Sequence, residues 1–137
     1  LSSPYWKTGF KDIYVDLNTD TNQIIRAGME SIGFLVNDIL ERFKLAELKI
    51  PKILKASGGA ARPVLLQFIS DITNLKIGHY NLLDQTAIGV SKILNNNFSK
   101  NEDKNKKIKF FSPNFFPDKK GKLSKWKKAL IENRIID

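Results

Sequence analysis

The chain has 137 residues, 42% of them hydrophobic, with 23 basic and 14 acidic side chains, a formal net charge of +9, one histidine and no cysteine. That length suits one domain with its own core. The absent thiols exclude a disulfide framework and a thiolate metal site, and no apolar run reaches the roughly 18 to 20 residues that a helix needs to cross a bilayer.

The charge is concentrated late in the chain. Residues 100–128 hold eleven lysines against Glu102, Asp103 and Asp118, whereas residues 1–99 hold eleven basic and nine acidic side chains. A nucleic-acid reading would therefore rest on one segment. The beginning, Leu1-Ser2-Ser3-Pro4, has no charged-then-apolar leader pattern, and the chain is expected to start inside a longer protein.

Phe10, Ile13, Val15 and Leu17 alternate with polar residues and predict a strand over about Lys11 to Leu17. Asp20 or Thr21, with Gln23 behind it, then caps a long helix whose expected apolar face is Ile25, Met29, Ile32, Val36, Ile39, Leu40 and Phe43. Gly33 within that helix costs about 1 kcal/mol relative to alanine, which marks it for close approach of another backbone. Ala46 to Pro51 reads as a connector.

Lys52 to Ala56 is short and apolar enough for a buried strand, and Ser57-Gly58-Gly59-Ala60-Ala61 follows as a turn. The period then changes to that of a helix, with Pro63 at its first position and Val64, Leu65, Phe68, Ile69 and Ile72 on one face. A glycine turn between strand and helix lets backbone approach a ligand, and the helix start offers N–H donors and a positive dipole end, so a nucleotide is the natural guest. A tight turn without a ligand has the same local signature.

Leu75 to Tyr80 reads as another strand, and Asp84 caps a helix to about Leu94 with Ala87, Val90, Ser91 and Leu94 on one face. Small Ala87 and Gly89 would let it lie near the glycine turn. Residues 96–109 are polar and lysine-rich, most simply a surface loop. Phe110, Phe111, Phe115 and Phe116 either dock the terminal segment on the core or, with the lysines, stack on bases. A last helix over about Ser124 to Ile135, with Leu123, Trp126 and Leu130 at helical spacing, closes the domain (123–135). The alternation of strand and helix argues for an α/β layer with a mixed or parallel sheet, and the fold expected is helices packed on a small mixed sheet.

Several of these segments together resemble the FGGY family of carbohydrate kinases. They are Pro4-Tyr5-Trp6, Gln23-Ile24-Ile25-Arg26-Ala27-Gly28-Met29-Glu30, the turn Ser57 to Pro63 with Leu66, Gln67 and Asp71, and Asp84-Gln85-Thr86-Ala87-Ile88-Gly89-Val90, with an echo in Trp126-Lys127-Lys128-Ala129. The first and last are similar to glycerol kinases, while the turn is more like pentulose kinases. The sequence departs from the family pattern at Asp16, Gly28, Ser57 and Arg62.

The resemblance implies that residues 1–137 are the C-terminal FGGY kinase domain, incomplete at its N-terminus, with part of an actin-like, ribonuclease-H-like ATPase fold. It implies ATP or ADP with Mg2+ as cofactor, a sugar or polyol substrate bound through an N-terminal domain, a cytoplasmic enzyme without a membrane partner, and room for a homo-oligomer of the full protein. Gly58, Gly59 and Ala60 would contact the nucleotide through backbone, with Arg62 beside them. No catalytic or metal-binding residue is expected in this segment, because the phosphate loops and reactive carboxylate would lie upstream. Glu30, Asp71 and Asp84 are read as structural or capping residues, and His79 as a packed or surface position. The segment alone is expected to be inactive. Alternatives are a decayed kinase remnant, a non-catalytic nucleotide-binding or interaction module, and a basic nucleic-acid-binding protein.

Overall fold

The computed structural model describes residues 13, 15, 20–80, 85–95, 107–133 and 135. Apart from residues 13 and 15, the predicted strand over Lys11 to Leu17 lies outside the described residues, as do the cap at Asp84 and residues 96–106 of the 96–109 loop. Seven elements follow in order: α1 (Thr21–Leu45), β1 (Ile53–Ala56), α2 (Pro63–Thr73), β2 (Lys76–Tyr80), α3 (Gln85–Leu94), β3 (Ile108–Phe111) and α4 (Lys119–Glu132).

Helix α1 starts where the carboxylate of Asp20 accepts the Asn22 N–H, satisfying one of the free donors of the first turn. It ends in a Schellman arrangement, with Glu47 in the left-handed region at φ 56° and the N–H of Leu48 donating to the carbonyl of Phe43. Only part of the expected apolar stripe faces the core: Met29, Ile32, Val36 and Leu40 do. Gly33, Phe34, Asn37, Asp38 and Leu40 are buried, whereas Ile25 is 59% exposed and Ile39 and Phe43 are also exposed. The reason is a second neighbour: Met29, Ile32 and Val36 pack on the core beside α2, while Phe34 and Asp38 meet α4. Gly33 does sit at a close approach, but to a ring and not a backbone. A Cβ there would lie 2.5 Å from Phe68.

The three strands form one sheet in the order β1-β2-β3, parallel between β1 and β2 and antiparallel between β2 and β3. The parallel pair needs a crossover, which α2 supplies. Strand β1 is an edge strand among the described residues, so Ile53 stays 40% exposed and the expected burial is only partial. Strand β3 was not anticipated from its lysine-rich surroundings. It forms because Phe111 pairs with Ile77 and enters the core, next to Leu65, Leu66 and Ile69 of α2. Leu66 thus takes the place expected for Val64, which is 73% exposed.

Helix α4 begins earlier than expected, right after Pro117 and Asp118, because its first lysines find partners on other elements. Lys119 Nζ donates to the Asp71 carbonyl at 3.1 Å, and Lys122 Nζ to both carboxylate oxygens of Glu30 at 3.2 and 3.1 Å. Further along, Trp126 stacks on Phe34 with centroids 5.3 Å apart. Helix α3 carries exposed Val90, Ile93 and Leu94, and a Cβ at Gly89 would meet nothing, so the close packing expected of that glycine is not seen among the described residues. No described helix is long and apolar enough to cross a membrane.

Candidate functional site

Because β1 and β2 run parallel, their carboxyl ends share one edge, with Ala56 beside His79. Ligands of open α/β sheets gather outside such ends. The chain leaves β1 here through Ser57 to Arg62 and enters α2 at Pro63. Gly58 adopts φ +96°, a conformation that side chains rarely take, and it is the residue that lets the chain reverse. Two bonds hold the turn: the Ala61 N–H donates to the Gly58 carbonyl at 3.1 Å and the Arg62 N–H to the Ala60 carbonyl at 2.7 Å.

Gly58, Gly59, Ala60 and Arg62 are therefore brought together in one turn. A Cβ at either glycine would meet no atom within 4 Å, so the surface above the turn is open to a ligand. Arg62 is the N-cap of α2, yet its side chain makes no capping bond. The N–H groups of Val64 and Leu65, in the first helical turn, have no acceptor within the helix, and no acidic side chain stands in that turn to compete for an anion. Such an end can hold a phosphate or the polar edge of a nucleoside.

Lys55 and Tyr80 belong to the same edge and escaped the sequence reading. The Lys55 ammonium lies 5.5 Å from the centre of the Tyr80 ring. The signal was available: parallel pairing of two strands joined by a helix must put their last residues side by side.

Gln67 and Asp71, part of the motif that pointed to a nucleotide, serve elsewhere. Gln67 Nε2 donates to Asp71 Oδ1 at 2.8 Å and to the Ser112 carbonyl at 2.9 Å, and the same Oδ1 accepts the Asn114 N–H at 2.8 Å. Glu30 is taken by Arg26 and Lys122. Along α3, Thr86, Ala87, Val90, Ser91, Leu94 and Asn95 line an open groove of about 630 Å³.

Several of the described lysines of the late segment make ion pairs within the domain. Lys122 pairs with Glu30, Lys127 with Glu41 at 2.7 Å and Lys128 with Glu132 at 3.7 Å. Partial burial works to raise the Glu41 carboxyl, but hydrogen bonds from Lys127 and Asn37 and the charges of Lys127 and Lys44 outweigh it and hold the group below its ordinary value. Burial, with the Lys44 charge, lowers Lys119. Phe111 is buried and Phe116 meets Phe68 edge-on at 5.7 Å, so two of the four late phenylalanines dock the segment, while Phe115 is 92% exposed. Among the described residues no three His, Asp or Glu side chains gather where a metal ion could be held.

The C-terminal domain model of the FGGY family of carbohydrate kinases matches residues 1–94. A glycerol kinase of Desulfitobacterium hafniense is 33% identical over 95% of this chain and 28% of its own length, and one of Streptococcus pneumoniae is 30% identical over 99% and 29%. The chain thus spans under a third of the length of these curated relatives. Among solved structures, a Plasmodium falciparum glycerol kinase with ADP superposes with a TM-score of 0.61 at 23% identity, covering 88% of this chain and 26% of that one.

Proposed function

The chain belongs to the FGGY family of carbohydrate kinases, and from that premise we propose that residues 1–137 are the nucleotide-binding, C-terminal part of an ATP-dependent kinase of the glycerol kinase type. The observation that carries this reading is the open turn at the carboxyl edge of β1, with Gly58 at φ +96° and no atom within 4 Å of a Cβ at Gly58 or Gly59. Backbone groups of Gly58, Gly59 and Ala60 approach the nucleotide, and the uncapped side chain of Arg62 lies next to them. The relative solved with ADP supports a nucleoside diphosphate as the guest.

In the complete enzyme the γ-phosphoryl group of ATP passes to a hydroxyl of a polyol or sugar, leaving ADP. Such transfer depends on positioning and on neutralising charge. This segment supplies the positioning of the nucleotide through the turn. The carboxylate that receives the hydroxyl proton and the ligands of Mg2+ are assigned to the family's N-terminal domain. As an ATP-consuming kinase the complete enzyme is assigned to the cytoplasm, and residues 1–137 alone are assigned no activity.

Two measurements test this. ADP should raise the melting temperature of the full-length protein, and a coupled ADP-release assay with glycerol, xylulose and ribulose should show turnover there but only the blank rate with residues 1–137. Absence of both ADP stabilisation and turnover in the full-length protein would overturn the reading.

A further inference from the structure

Helix α2 carries the glycine turn at its N-terminus, where Arg62 gives no side-chain cap and Ala61, Leu65 and Leu66 pack on the core. Its other polar contacts come from far along the chain. Gln67, Phe68, Ser70 and Asp71 all contact residues 111–116. Ser70, fully buried, donates to the carbonyls of Leu75 and Phe111 at 2.7 and 3.2 Å. Residues 111–116 lie beyond residue 94, where the match to the family model ends.

We infer that Asp71, with Gln67, is a positioning residue: it ties α2 to residues 112–114 and so fixes the place of the nucleotide turn, which ends at Arg62, five residues before Gln67. Oδ1 of Asp71 accepts both the Gln67 amide and the Asn114 N–H, while Gln67 also reaches the Ser112 carbonyl. One carboxylate oxygen thereby couples the helix to the backbone that follows β3. At 1.5 Å rise per residue the start of the helix at Pro63 lies about 12 Å from Asp71 along the axis, so a tilt of α2 at Asp71 is carried to the turn. Small misplacements of binding groups cost affinity steeply. Asp71 acts in this way only if the turn holds a nucleotide, the reading proposed above, and one titration separates the two.

The experiment measures ADP affinity and ligand-free melting temperature for the full-length protein and its variants. Asp71→Leu, which loses the acceptor, should weaken ADP binding by about fivefold or more, and Gln67→Ala, the milder change, by less. Asp71→Asn keeps an acceptor oxygen and should restore affinity to within about twofold of the parent. Leu130→Ala, in buried packing of α4, should lower the melting temperature without changing ADP affinity. If the parent binds ADP but Asp71→Leu binds equally well, or if Leu130→Ala weakens binding as much, the positioning role is overturned. If the parent itself does not bind ADP, the nucleotide reading falls and the positioning role with it.

Discussion

Trp126 donates its indole N–H to Oδ2 of Asp38 at 2.7 Å, joining residues 88 positions apart. Asp38 is only 7% exposed, and the same indole stacks on Phe34. A carboxylate out of water needs its donors, so this contact sets how α4 sits on α1.

Replacing Trp126 by phenylalanine keeps an aromatic ring on Phe34 and removes the donor. We expect a loss of about 1–3 kcal/mol in urea unfolding, the cost of depriving a buried acceptor of a partner. In a double-mutant cycle, Asp38→Leu with Trp126→Phe should cost less than the two single changes summed. Strict additivity would show that the two side chains do not interact.

Gly33→Ala should destabilise by about 1–3 kcal/mol through overpacking. The added methyl would meet the Phe68 ring, and that ring is held edge-on against Phe34 at 5.6 Å and Phe116 at 5.7 Å, so it has no room to step aside. Phe68→Leu in the same chain should recover part of the loss. A denaturation midpoint unchanged in Gly33→Ala would contradict this packing.

The two turn glycines should behave differently. Gly58→Ala places a side chain at φ +96° and should cost about 1 kcal/mol or more of stability. Gly59→Ala meets neither strain nor a neighbour and should leave the melting temperature within about a degree or two. Both should weaken ADP binding if the backbone contacts the nucleotide. Gly59→Ala binding ADP like the parent would argue against that contact.

Acid should loosen α4 through Glu41. Its carboxyl is lowered from the ordinary value of 4.5, so the unfolded chain takes up its proton first, and the stabilisation is complete above about that pH and lost as pH falls through the lowered folded value. Lys127→Met removes the main partner and should flatten this part of the stability-against-pH curve. Lys119 has the opposite sign: its lowered ammonium disfavours the charged folded form, and stability should recover as pH rises toward 10.5. Urea titrations from pH 3 to 10 on Lys127→Met and the parent would show either trend.

The strand, turn and helix from Ile53 to Thr73 were legible because their signals are local: two glycines, a proline where its missing N–H costs nothing, and a change of apolar period. The start of α1 at Asp20 was equally plain, since a cap is a contact between neighbours in sequence. The candidate site residues Gly58, Gly59, Ala60 and Arg62 share a turn for the same reason. What escaped depended on distant partners. Strand β3 exists because Ile77 and Gly78 offer Phe111 and Phe110 a ladder, and nothing within Lys107 to Phe111 announces that.

Sequence alone therefore determined the α/β alternation and the glycine turn, carried by short spacings that fix backbone geometry over a few residues, and resemblance of its motifs gave the family. Only the tertiary structure decided which side of α1 is buried and what Gln67 and Asp71 do. Asp38 is buried through an indole 88 residues away, and Asp71 is occupied by a backbone N–H 43 residues on. Polar side chains take their roles from whichever donor folding brings within about 3 Å, and sequence spacing does not encode that distance.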